Sequence, residues 1–249
     1  MADTNESRAM IEVGKLAKAY GLMPVLKGLD LEVTRGQFVA LLGPNGSGKS
    51  TLLRMLAGLS KPTAGTIQVG GWKLPEEAAA VRAQIGMVSH KPLLYDALTA
   101  YENLSFFGRL YNIPEGDLDE RIRNMLARVG LEKRADSLAR TFSRGMQQRL
   151  TIARALLHEP HVLLMDEPYT GLDQQAAGVL DSLLEVADSS GEHTIVMATH
   201  QLDRAAKLSS RVVMLARGKV AYDRPAAGLD TLALAADYAD VTGQATARQ

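Results

Sequence analysis

Gly43-Pro44-Asn45-Gly46-Ser47-Gly48-Lys49-Ser50 fits the pattern Gly-x-x-x-x-Gly-Lys-Ser. Directly before it, Phe38-Val39-Ala40-Leu41-Leu42 is an unbroken apolar run of the length of a buried strand. Directly after it, Thr51 to Ala57 reads as a helix whose end is bracketed by Gly58 and Pro62. A glycine-rich turn between a buried strand and a helix is the setting of a phosphate-binding loop. Its glycines let backbone N–H groups turn inward on phosphate oxygens, and the helix adds its positive N-terminal end. Lys49 is then placed to neutralise terminal phosphates and Ser50 to ligate Mg²⁺, while Gly43, Pro44, Asn45, Gly46, Ser47, Gly48 and Thr51 complete the cradle. The expected ligands are ATP and Mg²⁺.

Outward from that loop the pattern is α/β. His161–Met165, Thr194–Ala198 and Arg211–Leu215 are apolar runs without alternation, separated by helical patterns at about 174–188 and 201–208. Strands of that kind imply a parallel sheet covered on both faces. Upstream, Leu29, Leu31 and Val33 alternate as in a half-buried strand, Arg35-Gly36 makes a turn, and Thr66–Val69 is a short strand closed by Gly70-Gly71. The stretch 99–158 is different. Thr99-x-x-Glu102 is a capping box opening a helix, and Leu118, Ile122, Met125, Leu126 and Val129 recur at spacings of three and four. A third helix is expected from near Ser143 to about His158. The fold expected is an α/β nucleoside-triphosphatase core over 10–225. It has an antiparallel β portion at its N-terminal side, a mixed, mostly parallel sheet and an inserted α-helical subdomain. Arg217-Gly218-Lys219 turns a hairpin into Val220–Tyr222, residues 226–240 form a short packed helix, and 1–9 and 241–249 are expected to be loose ends.

Composition narrows the class. The 249 residues hold 28 basic and 28 acidic side chains, so the net charge gives no support for nucleic acid as the main ligand. Cysteine is absent, which excludes disulfides and thiolate metal sites. No run approaches the roughly 20 apolar residues of a membrane span, and the polar start lacks the apolar core of a signal peptide. A membrane role therefore requires a partner that spans.

Asp166-Glu167 ends the apolar run Val162–Met165. Adjacent carboxylates at the end of a buried strand are costly unless they meet a cation or polarise a water. The natural division puts Asp166 in the Mg²⁺ shell and gives Glu167 the attacking water.

The phosphate loop, Asp166-Glu167-Pro168, Thr199-His200 and Phe142-Ser143-Arg144-Gly145-Met146-Gln147-Gln148-Arg149 together resemble the ABC-type transport ATPases over about residues 11–225. The resemblance implies that Ser143, Gly145 and Gln147 bind the γ-phosphate held by a second copy, that Asp173 lies at the dimer contact, and that Tyr20 stacks on adenine. It implies that His200 contacts the γ-phosphate and holds the attacking water. His90 stands where the family usually carries glutamine, and a water-mediated link to Mg²⁺ is expected of it. Arg144 and Met146 depart from the family's commonest Gly and Gln. The expected partners are a second copy of the chain and an integral membrane permease, whose cytoplasmic helix would dock along 91–107. The expected location is peripheral, on the cytoplasmic face of the membrane. His90, the Ser143 segment, Asp166–Asp173, Leu93–Thr99 and the Ala/Leu tail look most like the haem exporter of cytochrome c maturation. A drug, lipid or polysaccharide exporter stays open as the alternative, and a non-transport ATPase of the family is the more distant one.

Overall fold

The computed structural model describes residues 9–89, 91–189 and 191–243. Two sheets share one core. The first is antiparallel, in the order β2 (Met23–Thr34), β1 (Ala9–Tyr20), β4 (Ala64–Val69), β5 (Trp72–Leu74). The second has the order β10 (Lys219–Pro225), β9 (Arg211–Ala216), β3 (Phe38–Leu42), β8 (Thr194–Ala198), β7 (Val162–Asp166), β6 (Ile85–Val88). Within it β9, β3, β8, β7 and β6 are parallel, and β10 adds an antiparallel edge.

Burial explains why these strands do not alternate in polarity. Val39, Leu41, Leu164, Val196 and Val213 face the antiparallel sheet and α1 (Lys49–Leu56), in one cluster with Ile11, Leu29, Val33 and Leu53. Their neighbours Leu163, Met165, Ile195 and Met197 face the other way, against helices. Both faces are dry, so every position is apolar.

The helices on that second face are α3 (Ala100–Leu110), α4 (Glu115–Arg128), α5 (Arg144–Leu156) and α6 (Gln174–Ser189). The capping box at α3 is formed: Glu102 N–H donates to Thr99 Oγ1 at 3.1 Å, and Thr99 N–H to Glu102 Oε2 at 2.8 Å. Ser143 caps α5, accepting from Met146 N–H. Two short elements, α2 (Ala78–Ala83) and α7 (Leu202–Leu208), complete the core.

The expected loose ends 1–8 and 244–249 lie outside the described residues, and the described parts of both ends differ from expectation. Ala9 is not loose but pairs with Thr34. The last helix, α8 (Thr231–Thr242), starts later than residue 226 and runs past 240. Gly228, at φ 81°, turns the chain, and the Asp230 carboxylate caps Ala233 N–H at 2.7 Å, so the helix cannot begin sooner. Leu234 is fully buried against Ala40, Leu42 and Met214, which makes α8 part of the core rather than an appendage.

α5 belongs to both halves of the molecule. Its first turn lies in the helical region, whereas its last turns cover β6, the edge of the sheet. An edge strand leaves alternate carbonyls unpaired. Here His158 Nε2 donates to Ile85 O at 3.2 Å and Arg154 Nη2 to Met87 O at 2.9 Å. Farther along, Arg154 Nη1 donates to Pro92 O and Leu93 O, and Thr151 Oγ1 approaches Pro92 O. A buried arginine without a carboxylate is thus satisfied by carbonyls, and it ties the segment after β6 to α5.

His158 stacks on Tyr111 at 3.6 Å, 4° from parallel. Burial pushes its pKa down from 6.5 to about 4, with the charge of Arg154 adding to the shift and the Ile85 carbonyl opposing it. The folded pKa lies below the unfolded one. Stability is therefore fully present above about pH 6.5 and falls as pH drops toward 4, by about 3 kcal/mol over the whole window. The melting temperature is expected to fall less between pH 7.5 and pH 5 in His158→Gln than in the wild type. An equal fall in both would show that His158 contributes nothing to acid sensitivity.

Candidate nucleotide site

The phosphate loop leaves β3 at a point where only glycine fits. Gly43 has φ 145°, and a Cβ there would sit 2.3 Å from Leu215 O. Gly48 has φ 110°, with Leu26 Cδ2 where its Cβ would be. The loop is therefore wedged between β9 and β2. α1 begins at Lys49 with no side chain capping its N-terminus and no acid in its first turn. The N–H groups at such a helix start have no intrahelical partners and attract an anion.

Lys49 is buried, its Nζ donating to Gly43 O at 2.6 Å and to Pro44 O at 3.3 Å. Burial lowers its pKa, while Glu167 and Asp166 pull it back up. Ser50 Oγ donates to Asp166 Oδ1 at 3.0 Å across a sequence separation of 116. β7 ends on Asp166, which pairs with Ala198 of β8. Glu167 then leaves the sheet with φ 52°, a region costly for a residue other than glycine, and its N–H donates to Ala198 O at 2.9 Å. That backbone turn aims the Glu167 side chain at His200, with Oε2 2.8 Å from Nδ1.

Gly43, Lys49, Ser50, Asp166, Glu167 and His200 thus meet in one place. The Ser50 hydroxyl and the Asp166 carboxylate are hard oxygen donors, the type Mg²⁺ takes. Among the described residues there is no cluster of three acidic or histidine side chains able to hold a metal alone. Mg²⁺ would need the phosphates and water to complete its shell, which fits this donor set.

Other predicted residues lie elsewhere. Ser143 and Gly145 stand at the start of α5 beside the loop leading to Asp173: a Cβ on Gly145 would lie 3.4 Å from Gly171 O, and one on Gly171 3.0 Å from the Arg144 side chain. Asp173 Oδ1 accepts from Ala176 N–H at 2.8 Å, where α6 starts. Arg144 is exposed, with its side chain lying alongside Gly171. Gln147 is half-buried, and the side chain that reaches the carboxylate loop is its neighbour, with Gln148 Nε2 donating to Pro168 O at 2.9 Å. Tyr20 is 51% exposed at the end of β1, with Lys18 Nζ 4.9 Å from its ring centroid. His90 lies outside the described residues.

Sequence reasoning did not single out Gln148, Thr151 or Arg154. Their partners are backbone carbonyls, which carry no residue signature. Only the expectation of a charged side chain on the apolar face of a helix could have flagged Arg154.

A family model described as ABC transporter matches residues 26–170. The chain is 40% identical over 220 residues to the Nod factor export ATP-binding protein I of Ralstonia nicotianae, an alignment covering 88% of this chain and 68% of that protein. It is 36% identical over 211 residues to the linearmycin resistance ATP-binding protein LnrL of Bacillus subtilis, covering 85% and 68%. It superposes on an ATP-binding cassette solved as a dimer in a post-hydrolysis state with ADP and Pi. The TM-score is 0.82 at 30% identity, over 88% of this chain and 100% of that one. The match takes in the phosphate loop, the Ser143 segment and the carboxylate pair together, and the chain belongs to the ABC transporter family as an ATP-hydrolysing subunit.

Proposed function

We propose that the chain is the motor of a membrane exporter and works as a pair closing head-to-tail on two ATP molecules. The convergence of Lys49 and Ser50, Asp166 and Glu167, and His200 from three separate segments carries this reading. Each site would take these residues, with the His90 segment, from one copy. Ser143, Gly145, Gln147 and Asp173 would come from the other. Ser50 and Asp166 would hold Mg²⁺, whose charge would offset that developing on the phosphates. Glu167 accepts a proton from the attacking water, and His200 holds Glu167 and the γ-phosphate in register. Closure is favoured while the γ-phosphate is present, because the N-terminus of α5 adds donors to it. Loss of that phosphate reopens the pair. The dimeric solved cassette supports this arrangement.

Tyr20 is the adenine platform in this reading. Aromatic contacts of this kind contribute about 0.5–1.5 kcal/mol. Tyr20→Ala is expected to raise KM for ATP roughly 3–10-fold with kcat unchanged, whereas Tyr20→Trp retains affinity. An unchanged KM in the alanine variant would remove Tyr20 from the site.

The permease would dock beside the segment held by Arg154. Leu93, Tyr95, Phe106 and Leu110 are exposed there, next to a cleft of about 200 Å³ floored by Met87 and Phe107. Tyr95 and Phe106 meet edge to face at 4.9 Å. Exposed aromatic clusters of this kind suit an apolar helix. No helix among the described residues is long and apolar enough to cross a membrane. The site would lie on the cytoplasmic face, where ATP is.

For cargo, the Nod factor and linearmycin relatives favour a drug, lipid or polysaccharide exporter over haem. Tagged chain drawn from native membranes in mild detergent is expected to bring down a polytopic permease, and Phe106→Glu is expected to lose it while keeping its own ATPase activity. Deleting the chain is expected to leave cytochrome c haem attachment intact. Loss of holo-cytochrome c in the deletion would restore the haem reading.

A further inference from the structure

We propose that Tyr169, Asp181 and Arg204 form a positioning clamp that sets the separation of Glu167 and His200. The proposal rests on the roles given to those two residues above. Glu167 and His200 sit on different loops, past the ends of β7 and β8. The last tie between the two backbones is the bond from Glu167 N–H to Ala198 O. Beyond it, packing does not hold the histidine, whose side chain is 66% exposed, and Glu167 keeps an unfavourable backbone angle. Something else must keep the 2.8 Å contact in register.

The structure supplies a closed circuit of contacts. Tyr169, on the loop just after Glu167 and Pro168, is buried, and its hydroxyl donates to Asp181 Oδ1 on α6 at 2.6 Å. Burial and Asp181 push that phenol's pKa well above its ordinary value, so the hydroxyl stays a donor. Arg204, on α7 just after His200, lays its guanidinium over the Tyr169 ring, 3.9 Å from the centroid. Its Nε lies 3.4 Å from the same Asp181 oxygen, a charge pair without a hydrogen bond, and its Nη1 donates to Gln201 Oε1 at 2.8 Å, beside His200. The chain of contacts therefore runs from Glu167 through Tyr169, Arg204 and Gln201 to His200, and closes across the Glu167–His200 bond. Asp181 anchors it to α6, and Gln148 pins Pro168 from α5.

None of these three side chains binds ATP in the arrangement proposed above. Their effect is on geometry, and misplacement of a reacting group by about 1 Å costs on the order of 100-fold in rate. The planar guanidinium lies over the Tyr169 ring while its Nη1 reaches sideways to Gln201, a geometry that the compact ammonium of lysine does not reproduce.

The test is steady-state ATP hydrolysis by the purified full chain with Mg²⁺, together with melting temperature and the lifetime of the ATP-bound dimer. Tyr169→Phe removes one oxygen and is expected to lower kcat about 3–10-fold, and Arg204→Lys about 10–100-fold, with KM for ATP within about twofold of wild type. The ATP-bound dimer should persist longer in both. The double variant should be about as slow as the slower single, because both break one circuit. Wild-type kcat in both singles would overturn the clamp. So would multiplying effects, or a loss of kcat matched by a rise in KM. Glu167→Gln is run beside them. If it is inactive while the clamp variants turn over normally, only the clamp falls. If it turns over normally, the role of Glu167 and the clamp fall together.

Discussion

Glu167→Gln is expected to lower kcat for ATP hydrolysis by roughly 10²–10⁴-fold, the usual contribution of a positioned general base. ATP affinity should stay within about threefold of wild type, because the change leaves ground-state contacts in place. The amide has the size of the carboxylate and can still meet His200 Nδ1, now 2.8 Å from Glu167 Oε2. It cannot take a proton from water. The site should close on ATP and stay closed, so the variant should elute as an ATP-bound dimer where the wild type elutes as monomer after turnover. Normal turnover in this variant would remove Glu167 from the role of base. A monomer that binds ATP but never dimerises would instead argue against the shared site.

Lys49→Ala is expected to weaken ATP binding by roughly 10–150-fold, the loss of a charge-assisted hydrogen bond worth about 1.5–3 kcal/mol. The residue is 8% exposed and lies close enough to Asp166 and Glu167 for both to hold its charge on against burial. Without it, incoming phosphates would face two carboxylates with no protein cation between them. Lys49→Arg should not rescue. Nζ sits inside the loop, donating to Gly43 O and Pro44 O, and a guanidinium fork is too wide for that position. Calorimetric titration with ATP measures the effect, and affinity within twofold of wild type in the alanine variant would contradict it.

Both predictions draw on residues that were legible from local pattern. A Gly-x-x-x-x-Gly-Lys-Ser run between a strand and a helix carries its geometry with it, since the bends at Gly43 and Gly48 and the start of α1 lie within a few residues of one another. The capping box at Thr99 and Glu102, and the apolar spacing of α4, were legible for the same reason. β1 was less so. Its pairing with β2 and β4 passes through several register irregularities, which break the alternation that marks a strand. The start of α8 was misplaced because an Ala/Leu-rich run reads as helix from its first residue, whereas the Gly228 turn and the Asp230 cap decide where it begins.

The order of residues along this chain determined by itself that it binds a nucleoside triphosphate, that its sheet is buried on both faces, and that an acidic pair ends one strand. Those features depend on neighbours in sequence, whose distances are set by bond geometry. The pattern and the family resemblance already put Ser50 and Asp166 on one Mg²⁺ and Glu167 and His200 on one water, and tertiary structure supplied their direct contacts. Tertiary structure alone decided that Arg154 meets the carbonyls of β6 and the segment after it, and Tyr169 meets Arg204. Each of these contacts spans a strand crossover or a helix packing. Its length is set by how buried side chains fill the space between elements, which no local spacing records.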